Sequence, residues 1–125
     1  MTRILVVEDD KILQAIFKSL LIKAGYEADA ASDGEEALSK AIAHEPDLIV
    51  LDMQMPNMDG IDFLRAYDVI DSHPRVKVIA FSNTQQSDKV KDALALGVLG
   101  YMTKSEYSPR AMIQLIRDTL ARNER

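Results

Sequence analysis

Two rhythms of apolar residues alternate along this chain. The short, β-branched-rich runs "RILVVE" (residues 3–8), "DLIVLD" (47–52) and "VKVIAFS" (76–82) have almost no polar interruption. That is the pattern of strands covered on both faces. "EADAAS" (27–32) and "VLGYM" (98–102) are weaker and predict strands toward the edges of the sheet. Between the runs the period becomes helical. Ile12, Leu13, Ile16, Phe17, Leu20, Leu21 and Ala24 recur at three- and four-residue spacing, and Gly25 follows as a terminator. Ser32 with Glu35 reads as a capping box for a helix running to about His44, closed by Pro46. A third helix is predicted over residues 58–70 and a fourth over 86–96, ended by Gly97. Ser108 followed by Pro109 is a cap with proline at the first helical position. It opens a last helix with Met112, Leu115, Ile116 and Leu120 on one face.

Five β–α units in succession require parallel strands with right-handed crossovers, which makes a doubly wound three-layer α/β sandwich. With no low-complexity linker and no repeat, residues 1–125 read as a single domain. The absence of cysteine excludes disulfides, thiolate metal sites and cysteine nucleophiles, and fits a reducing cytoplasm. No apolar run approaches the ~20 residues that span a bilayer. Acids stand at positions 8–10, where a secretory signal needs apolar residues. A net charge of −5 argues against direct nucleic-acid binding by this chain.

In an open parallel sheet, ligands bind beyond the carboxyl ends of the strands. Glu8, Asp9 and Asp10 follow the first strand, Asp52 ends the third, Ser82, Asn83 and Thr84 follow the fourth, and Lys104 follows the fifth. A carboxylate at the end of a buried run, as Asp52 is, needs partners, because an uncompensated buried charge costs several kcal/mol. Clustered carboxylates repel one another unless a cation joins them. Lys104 supplies one charge, and a hard, oxygen-liganded divalent ion such as Mg²⁺ is the natural complement, held by Asp9 and Asp10 beside Asp52. Asp9 and Asp10 also suit a simpler role, capping the first helix. The long stem of Lys104 and a solvent-accessible partner charge predict that the fold depends little on it.

At these residues the chain resembles the receiver domain of bacterial two-component response regulators. The resemblance runs over essentially the full length and is carried by "ILVVEDD", "DLIVLDMQMPNMDG", Ser82, "GVLGYMTK" and the five-unit order. It implies a flavodoxin-like sheet in the order 2-1-3-4-5. It also implies a phosphoacceptor switch rather than an enzyme, in which Asp52 takes a phosphoryl group from a histidine kinase, a histidine phosphotransfer protein or a small acyl phosphate. Asp9, Asp52 and the backbone carbonyl of Gln54 would ligate Mg²⁺, with Asp10 acting mainly through water. Lys104 would pair with the phosphoryl oxygens and Ser82 would donate a hydrogen bond to one. Tyr101 would follow that movement and alter the surface of the fourth helix, fifth strand and fifth helix, where an output protein or a further domain docks. The same resemblance implies a monomer that associates weakly once modified.

Three departures stand out. Ser105 replaces the usual proline after the lysine, so either a strained peptide is kept there or the loop is rebuilt. Asn83 replaces a very small residue after Ser82, and Gln54 and Thr84 occupy positions that tune the phosphoryl lifetime. Ser105 and Asn83 keep a second reading in view, a receiver-like interaction module that works without phosphorylation. A dehalogenase-like phosphatase would need a second aspartate two residues after Asp52, where this chain has Gln54.

Overall fold

Each β-branched run forms a parallel strand. The computed structural model describes residues 1–83 and 87–122, with Ser87 described by its backbone alone. In it, β1 (Arg3–Val7), β2 (Glu27–Ala31), β3 (Leu48–Asp52), β4 (Lys77–Ser82) and β5 (Gly100–Thr103) alternate with five helices. These are α1 (Lys11–Lys23), α2 (Gly34–Ala43), α3 (Gly60–Tyr67), α4 (Ser87–Ala95) and α5 (Pro109–Leu120). The sheet order is β2-β1-β3-β4-β5, a flavodoxin-like doubly wound sheet with the two weaker strands at its edges.

Side-chain alternation divides the core into two layers. Ile4, Val6, Leu48, Val50, Ile79 and Phe81 meet Phe17 and Leu21 of α1 and Met112 and Ile116 of α5. Leu5, Val7, Ile49, Leu51, Val78 and Ala80 meet α2, α3 and α4 on the other face. β3 lies in the middle and all five of its residues are buried. The registers Val7↔Leu51 and Asp52↔Phe81 bring the ends of β1, β3 and β4 to one edge.

The structure departs from the sequence reading at several element ends. Asp33, not Ser32, caps α2, accepting the Glu36 N–H at 2.8 Å, while Glu36 Oε1 accepts the Ser32 N–H at 2.6 Å. The capping box is therefore shifted by one residue. α3 is shorter than residues 58–70. Asp59 caps it at one end, and Asp68 in a left-handed conformation (φ 55) stops it at the other. The apolar stripe of α1 is wider than the sheet can cover, and Ile12 remains 75% exposed. Gly25, with φ 97, ends that helix directly after its C-cap Ala24. Thr84, and the expected start of the fourth helix at residue 86, lie outside the described residues.

Candidate functional site

Asp52 sits at the end of the central strand and is 1% exposed. Its Oδ1 accepts the Gln54 N–H at 3.1 Å, and its Oδ2 lies 3.4 Å from Lys104 Nζ. Glu8, the first residue beyond β1, is equally buried. Its backbone is pinned, because its N–H donates to Ala31 O at 3.0 Å and its carbonyl accepts from Gln14 Nε2 at 2.9 Å. Glu8 Oε2 accepts the Asp10 N–H at 3.1 Å. Glu8 Oε1 lies 3.6 Å from Lys104 Nζ and is buried without a hydrogen-bond partner. One ammonium thus serves two buried carboxylates, and it also lies 5.7 Å from the centre of the Phe81 ring.

The charges do not balance. Burial pushes the Glu8 carboxyl from 4.5 up to about 7, the nearby Asp52 charge adds to the rise, and the Asp10 N–H and Lys104 oppose it. Burial also raises Asp52, against the pull of the Gln54 N–H and Lys104. Without a further cation, burial and the repulsion between the two carboxyls both favour a protonated form of the pair. Exposed Asp9 completes the cluster, since Glu8, Asp9 and Asp52 each offer an oxygen within 4.8 Å of the others. This all-oxygen donor set, with one buried oxygen unpartnered, fits a hard divalent cation such as Mg²⁺.

The segment after Asp52 explains "MPNMDG". Asn57 takes a left-handed conformation (φ 66), which asparagine tolerates, and its Nδ2 donates to Asp33 Oδ2 at 3.2 Å. Asp59 accepts the Asp62 N–H at 2.9 Å and starts α3. Gly60 must be glycine because a Cβ there would stand 2.6 Å from Met53 Sδ and 2.8 Å from Met53 Cα. The motif seats α3 directly on Met53, the residue that follows Asp52.

Of the residues singled out from sequence, Asp9, Asp52, Ser82 and Lys104 lie at this edge. Asp10 does not join the cluster. With φ −75 and ψ 111 its carboxylate lies over the start of α1, where Oδ1 accepts the Ile12 and Leu13 N–H groups at 2.9 and 3.1 Å. The place expected for Asp10 is taken by Glu8. Lys104 also differs from expectation, because its partners are buried rather than solvent-facing.

Ser82 is fully buried and its Oγ accepts from Gln54 Nε2 at 2.7 Å. Gln54 thus ties its side chain to Ser82, a contact beyond the carbonyl ligand and the lifetime-tuning position expected of it. Tyr101 is half-buried on β5 and packs against the core layer that includes Ala93 of α4. After β5 the loop is rebuilt. No peptide among the described residues is cis, and Lys104–Glu106 form a 3₁₀ turn held by Thr103 Oγ1 donating to Glu106 Oε1 at 2.6 Å.

Strand order reverses between β1 and β3, so Glu8 and Asp9 stand on one side of the crevice and Asp52 on the other. The fold and site define a doubly wound domain with an acidic, lysine-bearing switch point. The chain belongs to the response regulator receiver domain family, whose model matches residues 4–117. It is 39% identical to the alkaline phosphatase synthesis transcriptional regulatory protein PhoP of Bacillus subtilis, over 98% of this chain and 50% of that protein. It thus spans about half the length of that relative. It is 35% identical to the chemotaxis protein CheY of the same organism, over 94% of this chain and 97% of that one. Among solved structures, a CheY-like receiver domain protein from Methanospirillum hungatei superposes with a TM-score of 0.89 at 27% identity, covering 96% of this chain and 94% of that one. No helix among the described residues is long and apolar enough to cross a membrane.

Proposed function

We propose that residues 1–125 act as one cytoplasmic receiver domain in which Asp52 accepts a phosphoryl group from a histidine kinase or phosphotransfer protein. The observation that carries this reading is the pairing of buried Asp52 with Lys104 at 3.4 Å, beside Glu8 and Asp9. A relative at 32% identity, the sporulation initiation phosphotransferase F of Bacillus subtilis, bears a name that supports traffic of phosphoryl groups.

A carboxylate oxygen of Asp52 attacks phosphorus, and the P–N or P–O bond to the donor breaks with its electron pair leaving on the donor. The transition state is loose, so the protein contributes positioning and charge neutralisation. Lys104 lies against Asp52 Oδ2 and faces the equatorial oxygens of the transferring group. Asp9, Asp52 and the Gln54 carbonyl, with Glu8 beside them, would hold Mg²⁺, which supplies charge neutralisation on those same oxygens. The phosphoryl group on Asp52 then carries about −1.5 to −2 of charge where the carboxylate carried −1, and presents three acceptor oxygens. Ser82 donates to a phosphoryl oxygen, Tyr101 follows, and the surface of α4, β5 and α5 changes for an output partner. The domain catalyses only its own modification and its reversal, and it contacts no nucleic acid itself.

Incubation with acetyl phosphate and Mg²⁺ followed by intact mass tests this. One phosphoryl adduct is expected, and it is absent in Asp52→Asn. A parent that gains none would sink the reading in favour of a phosphorylation-independent interaction module. The unmodified protein is expected to be monomeric, with weak, salt-sensitive pairing after modification. Sedimentation at two salt concentrations reads this, and a tight, salt-indifferent dimer of unmodified protein would contradict it.

A further inference from the structure

The Gln54 side chain leaves the loop after β3 and ends on the residues that close β4. Its Nε2 donates to Ser82 Oγ at 2.7 Å, and its Oε1 accepts the Asn83 N–H at 3.0 Å. Both polar atoms of one carboxamide are therefore committed to consecutive residues of a neighbouring segment. The backbone N–H of Gln54 meanwhile donates to Asp52 Oδ1 at 3.1 Å. A single residue joins the acceptor, the switch serine and the amide beyond it.

Asp52 is 1% exposed and Ser82 is fully buried, so a phosphoryl donor reaches Asp52 only when a neighbouring group moves. Gln54 is only half-buried and starts from a loop. Ser82 Oγ and the Asn83 N–H cannot draw away from the Gln54 carboxamide without breaking both of its bonds. Ser82 Oγ is, moreover, the atom whose hydroxyl must turn to a phosphoryl oxygen once Asp52 is modified.

We propose that Gln54 is a positioning residue that works as a latch. Its carboxamide holds Ser82 and the Asn83 amide in the unmodified arrangement, and its release opens Asp52 and lets the end of β4 follow the phosphoryl group. The proposal rests on the phosphoacceptor reading above. A tenfold bias toward the closed arrangement corresponds to about 1.4 kcal/mol, within what two hydrogen bonds contribute net. Occupancy of Ser82 by an amide also gives Asn83 a place in the device through its backbone rather than its side chain.

The test uses the full chain and two variants. Gln54→Met keeps the length and removes both bonds. Gln54→Asn keeps the amide but is one methylene too short to span. Two readouts are followed, amide hydrogen exchange at Asn83 and the initial rate of adduct formation with acetyl phosphate and Mg²⁺. In both variants the Asn83 amide is expected to exchange about tenfold faster while the amides of β1 and β3 keep their protection, and the adduct is expected to form about tenfold faster. Exchange and rate within twofold of the parent, or a slower rate in Gln54→Met, overturns the latch. If neither parent nor variants gain an adduct, the phosphoacceptor reading has failed, and the exchange at Asn83 still decides whether the latch exists.

Discussion

Glu8→Gln is expected to stabilise the metal-free protein at neutral and alkaline pH. The substitution keeps the shape of a side chain that is 1% exposed and replaces one carboxylate oxygen with an amide nitrogen. The remaining oxygen can still accept the Asp10 N–H. What disappears is a buried negative charge that shares one lysine with Asp52. At about 1.4 kcal/mol per pKa unit, the rise of Glu8 from 4.5 to about 7 costs the folded state about 3 kcal/mol above pH 7.

The sign follows from proton counting. Between pH 4.5 and about 7 the folded chain binds more protons at Glu8 than the unfolded chain does. Stability therefore falls as pH rises through that window, and is flat in this respect on either side of it. Glu8→Gln removes the slope. The variant should exceed the parent by about 3 kcal/mol at pH 8 and match it at pH 4. Urea unfolding in chelator at a series of pH values, extrapolated linearly to zero denaturant, measures the difference. Added Mg²⁺ should narrow the gap at pH 8, since a cation that binds only the folded site stabilises the parent. A variant no more stable than the parent at pH 8, or a gain that persists unchanged at pH 4, would refute the claim that burial of this charge is unfavourable.

Two further perturbations test the same frame. Lys104→Ala leaves Glu8 and Asp52, each 1% exposed, without their shared cation. With the Lys104 side chain itself 24% exposed, the loss should be about 1–3 kcal/mol at pH 8 and clearly less at pH 5, where a proton can replace the ammonium. Equal losses at the two pH values would show that the lysine acts by packing instead. Gly60→Ala places a Cβ 2.8 Å from Met53 Cα, a backbone atom that cannot swing aside. Overpacking of this kind costs about 1–3 kcal/mol, and because Met53 follows Asp52, adduct formation should slow as well. An unchanged melting temperature would contradict the contact.

The sheet was legible in the sequence because burial on both faces leaves no room for polar residues inside a strand. Element ends were less so. Ser32 and Asp33 both qualify as caps, and the choice depends on where β2 stops, which is settled by pairing with β1 rather than by local residues. The same logic separates the acids. Asp52 was legible because a carboxylate ending a buried run has no inexpensive alternative to a built site. Glu8 obeys that rule too, since "ILVVE" ends on an acid as "LIVLD" does, with Glu8 continuing the face of Ile4 and Val6. The doublet Asp9–Asp10 drew the reading one residue too far. Two competing uses of an aspartate, helix cap and metal ligand, cannot be told apart until the backbone shows which one reaches the first-turn amides. The Gln54 bridge was illegible for a different reason. A neutral carboxamide creates no charge imbalance that demands a partner, and its partners lie 28 and 29 residues away on another strand's end. Electrostatic necessity can be read along a chain, whereas a hydrogen bond between two loops exists only once the sheet has placed them side by side.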